Sequence, residues 1–147
     1  MREDTDNALE ELKRADHLIY VSLKYTRTTD VIRSTIKRLI SAYNYAILDL
    51  LEYSKNKNLI KKIPIPNEEK VNLAKQILKN QSIKYIKLYD LLKLIDKSEY
   101  SSKEEFRKNV TLTTKTKKPI EIKTDTLHDY FDTTKEFITL VEDFIKK

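Results

Sequence analysis

The chain contains no glycine in 147 residues, and that absence limits its architecture more than any motif does. Glycine supplies positive φ in tight hairpins and helix caps, and lets backbone approach a bound phosphate closely. Phosphate-binding loops, dinucleotide-binding turns and the nucleophile elbow all depend on it, so none is expected in its usual form. Helices joined by polar corners are the simplest solution for such a chain.

Hydrophobic spacing agrees. Ala8, Leu12, Ala15, Ile19 and Leu23 form an apolar stripe that predicts a helix over 5–24. Ile32, Ile36, Leu39, Tyr43, Ala46 and Leu50 alternate spacings of four and three, predicting a long helix from Thr29 or Asp30 to about Ser54. Either of those residues can cap its first N–H groups. The segment KNKNLIKKIPIP (55–66) reads as an extended linker because of its prolines. Asn67 is expected to cap a short helix with a Val71, Ala74, Leu78 stripe. Residues 82–97 are apolar around most of a helix, which suggests a central position. Ser102 and Glu105 have the spacing of a capping box and predict a short helix over 102–109.

The period changes at 110–123, VTLTTKTKKPIEIK. Val110, Leu112 and Thr114, then Ile120 and Ile122, alternate as in a small β-hairpin, with Pro119 confining the second arm to an edge. A final helix beginning near Thr124 or Asp125 has the seam Leu127, Phe131, Thr134, Ile138, Val141 and Ile145. The expected fold is mainly α: a single-domain, up-and-down helical bundle over 1–147 with about four main helices, one or two short ones and a hairpin before the last. A chain of this length can bury roughly 68–70% of its unfolded surface, enough for a core without staples.

Several chemistries are unsupported. With no cysteine there is no disulfide, thiolate metal site or cysteine nucleophile. The acidic N-terminal stretch lacks the apolar core of a signal peptide, and no run approaches the roughly 18 apolar residues of a membrane span. A soluble, cytoplasmic protein with no membrane partner is expected. His17 and His128 stand apart from any serine or acid motif, and no cofactor or metal is expected. The carboxylates Asp125, Asp129, Asp132 and Glu136 form one stripe on the last helix, a solvated face or a dock for a basic partner.

Charge gives the positive clue. The net +6 is unevenly spread, because residues 25–123 carry 22 basic and 11 acidic groups, net +11. In LKYTRTTDVIRSTIKRL (23–39), Tyr25 is placed to stack a base, Arg27 to fork onto a phosphate, and Arg33 and Lys37 lie one turn apart. The same residues also suit a solvated corner, with Asp30 supporting Arg33 along the helix. Lys115, Lys117 and Lys118 at the hairpin tip are a second basic group, suited to nucleic acid or to guarding a sheet edge. Tyr20, Tyr43, Tyr45, Tyr53, Tyr85, Tyr89 and Tyr130 read as core residues with hydroxyls at the rim.

Two long amphipathic helices, shorter helices and a last long helix resemble the HEPN superfamily of small prokaryotic helical bundles, and the lysine- and isoleucine-rich style is similar to archaeal proteins. HEPN ribonucleases carry an arginine followed after four to six residues by a histidine on one helix. Here Arg14 and His17 are three apart, and no arginine precedes His128 within reach. What the resemblance implies is a binding role, as a nucleotidyltransferase partner or toxin–antitoxin component. The expected function is a non-enzymatic binding or assembly module contacting RNA or nucleotide phosphate. The alternatives are a protein-interaction module or homo-oligomer, and a degenerate HEPN-type ribonuclease.

Overall fold

A computed structural model describes residues 3–146, and these are mainly helical. Helix α1 (Glu3–His17) runs through a π-helical turn (Leu18–Ser22) into the short α2 (Leu23–Thr26). After a corner come α3 (Thr29–Asn56), α4 (Asn67–Leu78), a 3-10 turn (Lys79–Ser82) and α5 (Ile83–Lys97). Strands β1 (Tyr100–Lys103), β2 (Thr111–Thr114) and β3 (Glu121–Ile122) precede α6 (Thr124–Lys146).

The three seams read from the sequence are all interior. Ala8 through Leu23 on the first helix, Ile32 through Leu50 on α3 and Leu127 through Ile145 on α6 are buried in one contiguous core. Tyr43 stacks on Phe137 with ring centroids 4.8 Å apart and lies 5.1 Å from Tyr89. Helix α3 is the central element, packing against α1, α4, α5 and α6. Helix α5 is peripheral, contrary to the expectation from its composition. Only Ile86, Tyr89, Leu92 and Ile95 of its apolar residues are buried, and Ile83 and Leu94 face outward. No helix among the described residues is long and apolar enough to cross a membrane.

The strands form a three-stranded antiparallel sheet in the order β1-β2-β3, one strand more than the expected hairpin. Leu112 pairs with Ile122 and Ser102 with Leu112, and β3, just beyond Pro119, is an edge. The short helix expected over 102–109 does not form. Ser102 lies in β1, and Glu104 and Phe106 take positive φ in the following loop. The capping pair acts across space instead. Thr29 Oγ1 donates to Glu105 Oε1 at 2.8 Å and shares a 2.7 Å hydrogen bond with Ser102 Oγ, while the Thr29 N–H points at the same carboxylate. An anionic side chain is favoured at that end of α3, because the free N–H groups and aligned peptide dipoles give it partial positive charge.

Other caps also differ from expectation. Thr28, rather than Thr29 or Asp30, caps α3 by accepting from the Val31 N–H. Pro66 occupies the cap position of α4, freeing Asn67 Nδ2 to donate to the Tyr89 hydroxyl at 3.0 Å. Positive φ, which glycine would normally supply, is taken by Arg27, Asn58, Lys79, Glu104 and Phe106 among the described residues. Asparagine tolerates this region, but a bulky side chain does so only at a cost.

Candidate functional site

A cleft of about 380 Å³ opens at the end of the bundle where the first helix, the β1–β2 loop and the start of α6 meet. Ile19 and Tyr20 of the π-turn, Leu23 and Lys24 of α2, and Arg27 at the corner form one wall. Lys108 and Asn109 from the loop, with Lys123, Thr124, Asp125 and His128, form the other.

Each wall is fixed by local geometry. Arg27 ends α2 in the left-handed region (φ 50, ψ 51), with its N–H bonded to the Leu23 carbonyl at 2.9 Å. Its own carbonyl accepts the Phe106 N–H at 2.8 Å, which ties the β1–β2 loop to the corner. Glu105, held by Thr29, anchors the same loop from the other side. The Glu105 carboxyl is lowered from its ordinary range, chiefly by the hydrogen bond from Thr29. Lys123 stands immediately before α6, and its side chain offers no acceptor for the first N–H groups of that helix.

Tyr20 and His128 bridge the two walls. The Tyr20 hydroxyl and His128 Nδ1 share a 2.9 Å hydrogen bond, and the rings meet edge-to-face at 4.7 Å. Tyr20 is thus half-exposed at a cleft rather than a core residue. The wide π-turn offsets Tyr20 from the face an unbroken α-helix would give it.

The electrostatics of this cleft favour an anionic ligand. Lys24 and Arg27 come from α2 and its cap, Lys108 from the β1–β2 loop and Lys123 from just before α6, and none forms an ion pair among the described residues. With Asp125 counted, the lining carries a net formal charge of +3 when His128 is neutral. The hollow around His17 contains Lys13, Arg14 and Arg38, but there the buried Glu11 accepts from Arg14 at 3.0 Å and Arg38 at 3.1 Å. Its guanidinium charge is answered internally. The first cleft leaves its cations free for a ligand.

The residues singled out from the sequence divide among three places. Arg27 lines the cleft, and Tyr25, two residues before it, is 80% exposed. Arg33 lies over the Tyr100 ring, 5.2 Å from its centroid, instead of relying on Asp30. Lys37 pairs with Asp96 at 3.0 Å. Lys115 lines a shallow hollow with Arg33 and Tyr100, and Lys117 and Lys118 are exposed in the β2–β3 loop. The expected surface is therefore not one site. Lys24, Lys108, Lys123, Tyr20 and His128 were not marked by any motif, since only folding brings them together. On α6, Glu136 pairs with Lys84 at 3.7 Å, and the described residues contain no acidic or histidine cluster suited to a metal.

No protein-family model, curated protein or solved structure matches the chain.

Proposed function

We propose that this chain is a non-enzymatic helical binding module that holds a phosphate group of RNA or of a nucleotide in the cleft between α2, the β1–β2 loop and α6. The observation that carries the reading is the convergence of Lys24, Arg27, Lys108 and Lys123, from three segments of chain, none of them in an ion pair among the described residues. Bringing like charges together costs free energy, and an arriving anion offsets that cost. Arg27 offers a planar fork for phosphate oxygens, the lysines add point charge, and the start of α6 adds N–H donors.

Pyrophosphate and a short oligouridylate, titrated over a range of salt concentrations, test the proposal. Affinity should fall steadily as salt rises, because each neutralised phosphate releases condensed counter-ions. Absence of binding at low salt, or affinity indifferent to salt, rejects the reading.

A further inference from the structure

The loop that closes the cleft presents a feature phosphate binding alone does not explain. Phe106 takes φ 67, a region bulky residues avoid, yet its side chain is 75% exposed and contributes little to the core. Strained backbone normally persists because surrounding structure compels it or because the site uses it. Here the compulsion is visible on the backbone: Phe106 N–H is bonded to the Arg27 carbonyl, with Glu105 clamped to Thr29 beside it. The result is an aromatic ring held outward by an anchored main chain, two residues from Lys108.

On α2, Tyr25 is 80% exposed, two residues from Arg27. Two residues of chain span at most about 7 Å, so each ring stands on backbone within that reach of a cation-bearing residue of the cleft. Neither ring lines the cleft itself. A ligand that uses both features must extend from the cleft onto its rim.

We infer that the cleft takes one phosphate of a single-stranded nucleic acid while neighbouring unpaired bases stack on Phe106 and Tyr25. This rests on the reading of the cleft as a phosphate site and adds the class of ligand. Base faces are available to an aromatic side chain only in a single strand, and stacking tolerates any base. A duplex hides those faces, and inorganic pyrophosphate has none. The chemistry is shared by RNA and single-stranded DNA.

The test compares oligouridylate, oligothymidylate, a duplex of equal length and pyrophosphate on the intact chain and on Phe106→Ala, Phe106→Leu and Tyr25→Ala. The expected result is tightest binding to single strands, with a loss of roughly 5- to 150-fold on removing either ring and no change for pyrophosphate. Phe106→Leu, which keeps apolar surface without the ring, should resemble Phe106→Ala. The two single strands separate the sources: a preference for oligouridylate assigns RNA, and equal binding assigns single strands of either sugar. Duplex binding as tight as single-strand binding, or oligonucleotide affinity unaffected by both substitutions, overturns the stacking. An acidic peptide binding where oligonucleotides do not also overturns it. Failure of pyrophosphate and oligonucleotides alike removes the phosphate site, and the stacking with it.

Discussion

The Phe106 amide donates to the Arg27 carbonyl oxygen at 2.8 Å, and both residues stand in positive-φ backbone, at 67 and 50. One hydrogen bond thus joins two costly conformations, one at each wall of the basic cleft. A chain free to use glycine could hold the same corner with less strain. The arginine side chain is what glycine could not supply.

That contrast predicts opposite effects at Arg27. Arg27→Gly removes the left-handed penalty of about 1–2 kcal/mol, partly offset by the greater freedom of the unfolded chain. Arg27→Ala keeps the penalty and loses the guanidinium with its stem. Urea unfolding should show the glycine variant more stable than the alanine variant by about 1 kcal/mol. Both should bind pyrophosphate more weakly than the parent. Equal stability of the two variants would mean that the corner relaxes without strain.

The Glu105 clamp predicts an acid-side effect. Hydrogen bonding from Thr29 lowers the carboxyl's folded pKa, so the unfolded chain holds this proton more tightly. Its stabilisation is present above the ordinary carboxylate range and fades as pH falls through the lower folded value. Glu105→Gln should therefore reduce stability at neutral pH and narrow its difference from the parent in acid. Removing the contact altogether, as Glu105→Ala does, should cost about 1 kcal/mol, similar to losing a helix cap. Thermal unfolding at a series of pH values checks both, and a constant difference at every pH refutes the assignment.

Glu52 behaves with the opposite sign. Partial burial, a hydrogen bond with Asp4 and the nearby charges of Asp4, Asp49 and Glu3 push its carboxyl up from 4.5 to about 7. Between those values the folded chain binds more protons than the unfolded one, so stability falls as pH rises through this window. The side chain is largely open to solvent, which screens the effect to a few tenths of a kcal/mol. Glu52→Gln should flatten the stability profile between pH 4.5 and 7 and raise the melting temperature slightly above it. The Glu105 effect lies below that window, so the two variants are distinguishable in one set of melts.

How far the sequence disclosed this arrangement depends on how local each signal is. The α3 seam from Ile32 to Leu50 was legible because helical periodicity is enforced by burial on one side. Ser102 and Glu105 misled because a capping pair looks the same whether it serves its own helix or, as here, Thr29 of a distant one. The π-turn left no mark that would place Tyr20 against His128. Lys24 is separated from Lys108 and Lys123 by more than half the chain, and only the sheet and the start of α6 bring the last two beside α2. Arg33 and Lys37 drew attention as a basic helical pair, but Tyr100 and Asp96, far along the sequence, engage them.

This division of the basic residues makes the final prediction. A cation already answered by a protein carboxylate gains little from a phosphate, whereas one without an internal partner releases a counter-ion when the phosphate arrives. Lys123→Ala and Lys24→Ala should each weaken oligouridylate binding and shift the log affinity against log salt slope by about one. Lys37→Ala should leave that slope unchanged, because its ammonium already sits 3.0 Å from Asp96. The three substitutions remove the same formal charge from exposed positions, so a general effect of net charge would move all three slopes alike. Parallel slopes would place binding on the diffuse field of the basic body; separated slopes place it in the cleft.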